Sequence, residues 1–261
     1  MGVLDSFSLQ GKVGLVTGGA GLYGRQILRG VAEAGAQTYV ASRNLEALEA
    51  EAAALRDEGL DVTALAYDQG DEASILALRD AIIERSGRLD VLVNNSVARP
   101  MKQGYQSDAS TFAHSMQVNA TGLWLITRAF GDVMAEQGSG SIINIGSIQG
   151  MIGPDPTIYV GTTMGAWAPD YFFHKGGIIN FTRFIASYYG GKGVRCNCLS
   201  PGGYSTAQHP GPFVRRYSDR TFLGRLANDT DLMGAVVFLA SDASVYVTGT
   251  NLPVDGGYTA K

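Results

Sequence analysis

Lys12-Val-Gly-Leu-Val-Thr-Gly-Gly-Ala-Gly-Leu-Tyr-Gly-Arg-Gln-Ile-Leu28 decides how the rest of the 261-residue chain is read. The apolar run over about 12–17 predicts a buried strand. It breaks at a glycine cluster and resumes with Ile27, Leu28 and Val31 at helical spacing. Gly19, Gly21 and Gly24 fit G-x-G-x-x-G. A strand, a glycine turn and a helix start together form an anion site. The turn lets the backbone approach a pyrophosphate, and the helix presents free N–H groups and its positive dipole end. The same glycines also suit a tight turn that binds nothing, so the surrounding chain has to decide.

Working outward, strands and helices alternate. Strands are predicted at Gln37–Ala41, Asp61–Ala66, Leu89–Asn94, Ser141–Gly146, Val194–Leu199 and near Asn251–Val254. Between them fall a helix carrying Leu45, Leu48, Ala52 and Leu55 on one face, a helix over Asp71–Ser86, a long helix over 107–136, a helix over Tyr171–Tyr189 and one at about 229–241. The unbroken Val/Leu core of the fourth strand suits a parallel sheet covered on both faces. No Pro/Ser linker, repeat or low-complexity tract interrupts the series. The pattern is a single α/β domain, a doubly wound, Rossmann-type parallel sheet of seven strands. Ligands of such sheets sit beyond the carboxyl ends of the strands, so the loops after strands one, two, four, five and six share one crevice.

The bulk numbers agree. A chain of this length buries a sizeable core, and 45% apolar residues is ordinary for a globular domain. The net charge of −4, with scattered basic residues, argues against nucleic acid as a partner. No apolar run approaches membrane-spanning length and no basic-then-apolar leader opens the chain, so a cytoplasmic protein is expected, without a membrane partner. Cys196 and Cys198 alternate within one apolar run. They read as two buried structural thiols rather than metal ligands, and no metal is expected.

In the second crevice loop, a dinucleotide fold that binds NAD places an acidic residue on the ribose 2′-hydroxyl. Here Ser42 holds that place and Arg43 follows. A guanidinium would bind a 2′-phosphate with charge-assisted hydrogen bonds, so NADP(H) is preferred and NAD(H) is the alternative.

Tyr171 and Lys175 stand four apart at a predicted helix start and so share a face. A phenol titrates near 10, too high for acid–base work at neutral pH. A cation about 4 Å away at an effective dielectric near 20 is worth roughly 4 kcal/mol, the scale of shift required. Ser147, at the end of the fifth strand, offers a hydroxyl to a substrate carbonyl or alcohol.

Together these residues resemble the short-chain dehydrogenase/reductase family over almost the whole chain. The resemblance is carried by Thr17-Gly18-x-x-Gly21-x-x-Gly24, Asp68, Asn94-Asn95, Asn119, Ser147, Tyr171-x-x-x-Lys175, Pro201-Gly202-x-x-x-Thr206 and Thr248-Gly249-x-x-x-x-Val254-Asp255-Gly256-Gly257. It implies that Tyr171 exchanges a proton with the substrate oxygen, and that Lys175 lowers its pKa and binds the nicotinamide ribose. By the same token Ser147 orients the substrate and Asn119 holds a water that continues the proton path. The cofactor site is expected to comprise Gly18, Gly19, Gly21, Leu22, Gly24, Ser42, Arg43, Asp68, Gln69, Asn95, Lys175, Pro201, Gly202 and Thr206. Asp68 is assigned to the adenine, Asn95 to the adenosine ribose side, and Thr206 to the carboxamide or pyrophosphate. The resemblance further implies a small-molecule substrate with a secondary alcohol or ketone and a homotetramer. The Asn-Asn-x-Val-Ala-Arg-Pro stretch is similar to gluconate-dehydrogenase-like members, pointing to a sugar, sugar acid or polyol. A 3-oxoacyl thioester and a non-catalytic NADP-binding sensor or scaffold are the alternatives.

Three departures stand out. Leu22 occupies the place of a glycine in the compact family pattern. Asn94-Asn95-Ser96-Val97 replaces Asn-Asn-Ala-Gly. The tyrosine at the usual distance from Ser147 is Tyr159, but Thr163, not lysine, follows it by four. The reading therefore takes Tyr171 and treats 150–168 as carrying an insertion that either walls the pocket or meets a neighbouring subunit. A lobe at 207–224 is expected to act as a substrate lid. Arg99 and Lys102 either rim the pocket or lie solvated, and His209 reads as a solvent-facing loop histidine.

Overall fold

β1 (Val13–Thr17) is buried along its whole length, as an unbroken apolar strand covered on both faces must be. In the computed structural model, which describes residues 2–165 and 167–260, it lies near the middle of a seven-stranded parallel sheet. The other strands are β2 (Gln37–Ser42), β3 (Val62–Ala66), β4 (Val91–Asn94), β5 (Gly140–Ile145), β6 (Val194–Pro201) and β7 (Asn251–Val254). Their order is β3-β2-β1-β4-β5-β6-β7, so the winding reverses between β1 and β4.

Alternate residues of each strand feed two layers. Val16, Val93 and Ile145 pack with Ile27 and Val31 of α1 (Leu22–Glu33) and with Val236 of α8 (Met233–Ala240). α2 (Leu45–Asp57) joins that layer through Leu48, Ala52 and Leu55 against Leu28 and Val40. Leu15, Leu92 and Ile142 face the other way, onto Ile75 of α3 (Glu72–Ser86), Phe130 of α5 (Leu123–Gln137) and Ile185 of α6 (Pro169–Gly190). Cys196 and Cys198 are free and buried on that side. Side chains set the helix starts: Asn44 accepts from Ala47 N–H, and Asp71 accepts from Ala73 and Ser74 N–H.

Two segments depart from the sequence reading. The predicted helix 107–136 is α4 (Ala109–Met116), a π turn (Gln117–Gly122) and then α5. The cause is Gln69, whose side chain enters the ladder and donates to the Val118 carbonyl at 2.9 Å. A Cβ on Gly122 would lie 2.0 Å from the Gln69 carbonyl oxygen, so glycine there admits the β3 loop. The lobe at 207–224 contains a helix, α7 (Gly211–Arg220). Met1, Ala166 (within the 150–168 segment) and Lys261 lie outside the described residues. No helix among the described residues is long and apolar enough to cross a membrane.

Candidate active site

A cleft of about 920 Å³ opens at the carboxyl ends of the strands, across the β1/β4 reversal. The glycine turn forms one wall. Gly18 has φ +68°, and a Cβ there would lie 3.1 Å from Ser96 Cα. A Cβ on Gly24 would lie 2.2 Å from the Gly18 carbonyl oxygen, so α1 can approach the turn only with glycine at that position. No side chain caps α1, leaving its first turn open to the cleft. Leu22 is the first helical residue and lies half exposed on the cleft. That backbone position does not demand glycine, and Leu22 keeps its N–H. Tyr23 packs edge-on to Tyr204, and its hydroxyl donates to the Gly202 carbonyl at 2.8 Å, joining the turn to the end of β6.

The wall facing it, after β5, gathers Ser147, Tyr171 and Lys175. Pro169 opens α6 and places Tyr171 in its first turn, so Tyr171, His174 and Lys175 share a face. Lys175 is buried, donates to the Ile145 carbonyl at 2.6 Å and stands 5.7 Å from the Tyr171 ring centroid. The Arg99 guanidinium lies 4.4 Å from that centroid. Burial alone would push the Tyr171 phenol up. The Lys175 ammonium, the Arg99 guanidinium and hydrogen bonding with Ser147 outweigh it and hold the phenol below its ordinary value. Burial also lowers the Lys175 ammonium, opposed by the Tyr171 and Cys198 groups.

This arrangement is a dinucleotide crevice with a phenol held below its ordinary pKa at one end. The chain matches the family model described as enoyl-(acyl carrier protein) reductase over residues 21–259. It belongs to the short-chain dehydrogenase/reductase family. It is 33% identical to galactitol 2-dehydrogenase (L-tagatose-forming) of Cereibacter sphaeroides, over 97% of each chain. It is 34% identical to cis-4-hydroxycyclohexanecarboxylate dehydrogenase of Sinomonas cyclohexanicum, over 95% of this chain and 97% of the relative. A solved gluconate 5-dehydrogenase from Burkholderia cenocepacia, in complex with NADP and tartrate, superposes with a TM-score of 0.88 at 31% identity, covering 100% of both chains. As a member of this dehydrogenase family, the chain is an NAD(P)-dependent oxidoreductase acting on CH–OH groups.

The remaining expected residues of this dehydrogenase divide by position. Gly18, Gly21, Leu22, Gly24, Ser42, Arg43, Asp68, Gln69, Asn95, Pro201 and Gly202 line the cleft. Asn95 also braces the turn, its amide donating to the Thr17 and Gly18 carbonyls at 3.1 and 2.9 Å. Gln69 spends its side chain on Val118 and on the Tyr67 hydroxyl. Gly19 and Thr206 stand back from the wall. Gly19 is packed under Val40, whose Cγ2 lies 2.2 Å from where a Cβ would be. Thr206 opens a turn in which its carbonyl accepts from His209 N–H.

Asn119 sits behind the wall. Its Oδ1 accepts from Ala98 N–H at 2.8 Å, and its Nδ2 donates to the Ala98 carbonyl and to Ser115 Oγ. Ser115 in turn donates to the buried Asp170 carboxylate. Asn119, Lys175, His174, Asn94 and Ser96 border a void of about 10 Å³. Asn94 Oδ1 and both ring nitrogens of His174 are buried without a hydrogen-bond partner. Burial, then the Lys175 and Arg99 charges, push His174 down to about 3, so it is neutral. The Tyr171-x-x-His174-Lys175 spacing was the available signal for this residue, and the sequence reading passed over it.

The 150–168 segment walls the pocket: Tyr159 and Trp167 line the cleft. Tyr159 stacks on Phe213 of α7, with centroids 5.6 Å apart, and stands 6.2 Å from Trp167. It has no lysine beside it, and burial raises its phenol, the opposite of Tyr171. Arg216 donates to the Val160 carbonyl, and Arg220 pairs with Asp155 at 3.0 Å, so α7 and the segment hold each other. His209 turns inward, 5.0 Å from the Phe213 ring and on the cleft wall, contrary to the solvent-facing reading. Arg99 and Lys102 also line the cleft.

Proposed function

We propose that this dehydrogenase interconverts a secondary alcohol and its ketone, with Tyr171 exchanging the proton on the substrate oxygen. The observation that carries this reading is the Tyr171 phenol, lowered by Lys175 and Arg99, beside Ser147 in a glycine-walled cleft. In oxidation the phenolate takes the alcohol proton while the Ser147 hydroxyl holds the same oxygen. Lys175 stands beside the phenolate and favours it electrostatically. The void next to Lys175 has room for one water, and its unpartnered Asn94 and His174 atoms supply the polar contacts such a water needs. Asn119 positions the loop at Ala98 beside that void.

The cleft fits a dinucleotide. Gly18 and Gly24 leave room that any Cβ would fill, and the uncapped start of α1 faces it. The turn would hold the pyrophosphate, Asp68 the adenine, and Arg43, which has no ion-pair partner among the described residues, a 2′-phosphate. NADP(H) is therefore the preferred cofactor. When bound, the nicotinamide supplies or accepts the hydride.

The relatives' names span a polyol, a sugar acid and an alicyclic hydroxy acid, and the substrate is placed among these classes. Half-exposed aromatic rings on α5 and α6 (Trp124, Phe184, Tyr188) support a homo-oligomer built on these helices, with the protein acting in the cytoplasm.

Tyr171→Phe should lower kcat by roughly 10²–10⁴-fold, while Tyr159→Phe keeps measurable turnover. The reverse result would overturn the assignment. For oxidation, the active form is the phenolate, so kcat rises with pH through the lowered phenol pKa. Replacing Arg99 by Gln should move that rising limb to higher pH.

A further inference from the structure

We infer that the alcohol taken beside Tyr171 is borne on a ring that also carries a carboxylate. This rests on the reading of Tyr171 above and narrows its substrate class.

The first argument is charge. The side chains lining the cleft include four cations, Arg43, Arg99, Lys102 and Lys175, and two carboxylates, Asp68 and Asp170. Arg43 and Asp68 stand after β2 and β3, on the far side of the reversal from Tyr171. At the Tyr171 end, Asp170 is 1% exposed and already accepts from Ser115. Lys175 is buried against the Ile145 carbonyl. Arg99 and Lys102 remain, both exposed on the cleft, and among the described residues neither pairs with a carboxylate. Asp68 is distant and Asp170 is buried on Ser115, so Arg99 and Lys102 are the exposed cations at this end able to take an anion that arrives with the substrate. A guanidinium accepts a carboxylate in bidentate fashion. Arg99, held over the Tyr171 ring, puts that anion within one substrate's length of the reacting oxygen.

The second argument is the wall. His209, Phe213, Tyr159 and Trp167 form a row of rings with successive centroid separations of 5.0, 5.6 and 6.2 Å, and all four line the cleft. An extended aromatic surface favours a ligand with an apolar face. A saturated ring offers a C–H face to such a wall while its hydroxyl points to Tyr171. An open-chain polyol carries hydroxyls on every side and would lose water contacts against the wall without return.

The test uses the full-length protein with NADP⁺ and NAD⁺. The probes are 4-hydroxycyclohexanecarboxylate, a methyl hexopyranosiduronic acid, the carboxamide of each, gluconate and galactitol. We expect the ring acids to exceed their amides by about 10- to 150-fold in kcat/KM, the range of one charged hydrogen-bonded contact, and to exceed gluconate and galactitol. Arg99→Gln should collapse the acid-to-amide ratio; any change in Tyr171 ionisation affects both probes and cancels. Trp167→Ala should lower the ring-to-chain ratio and leave the acid-to-amide ratio standing. Amides equal to their acids, or gluconate or galactitol matching the ring acids, would overturn the inference while leaving Tyr171 in its role. Loss of all turnover in Tyr159→Phe with full turnover in Tyr171→Phe would instead overturn the parent reading.

Discussion

The glycine turn over Gly18–Gly24 and the aromatic row of Tyr159, Trp167 and Phe213 line one cleft, yet each is made differently. The turn is backbone: a positive φ at Gly18, contact distances that exclude a Cβ, and an uncapped helix start. The row is side chains from two segments about fifty residues apart, held by stacking and by arginines of α7. A backbone site tolerates almost no substitution but serves every family member that binds the same cofactor. A side-chain wall can be rewritten without disturbing the sheet. On the proposed function, recognition of a shared ligand and of a particular one are thus divided between two walls of one cleft.

The contrast can be broken at the turn first. In Gly24→Ala the new Cβ meets the Gly18 carbonyl at 2.2 Å, a backbone atom that cannot swing away. We expect a loss of about 1–3 kcal/mol in stability from the forced separation of α1 and the turn, together with loss of the cofactor-dependent rise in Tm. Trp167→Ala removes a ring that is 39% exposed, and its stability change should stay within about 0.5 kcal/mol. Thermal unfolding of both variants, with and without NADP(H), makes the comparison. Equal losses would show that wall and turn are not separate kinds of structure.

The same division explains what the sequence revealed. Alternation of Val/Leu runs with 3.6-residue periods located all seven strands, because burial on both faces leaves a local signature. Ser147, Tyr171 and Lys175 were legible because helical spacing and one strand end relate them. The π turn was not legible: its cause, Gln69, lies some fifty residues before Val118. Nor was the retreat of Gly19 under Val40, since packing against a neighbouring strand leaves no pattern around the glycine itself. His209 and Arg99 were ambiguous for the same reason. Arg99 turns inward onto Tyr171, about seventy residues along the chain, and His209 onto Phe213, four residues on but fixed by its stacking on the distant Tyr159.

A smaller effect sharpens the cofactor half. Arg43 is an exposed side chain added to a backbone site, so its removal should change selectivity without harming the fold. Arg43→Ala should raise the KM for NADPH by roughly 10- to 100-fold, the range of a charged hydrogen bond, and leave the KM for NADH near its starting value. Initial-rate kinetics with both cofactors will decide. An equal rise for both would place Arg43 on the common part of the dinucleotide.

The smallest expected effect tests how the wall is held. Arg220 pairs with Asp155 and donates to Thr157 Oγ1 at 3.0 Å, crossing from α7 to the 150–168 segment. The pair is partly exposed, so Arg220→Ala should cost no more than about 1 kcal/mol of stability. The segment also rests on Ile158 and Tyr159, packed among Phe213, Tyr217 and Tyr258, and those contacts survive the change. If the wall does no more than shape the pocket, Arg220→Ala should raise the substrate KM modestly and leave kcat and the NADPH KM unchanged. A fall in kcat of the size seen for Tyr171→Phe would mean that the aromatic row also sets the geometry of the acid–base group. The two halves of the cleft would then be mechanically joined through α6, whose first turn begins two residues beyond Trp167.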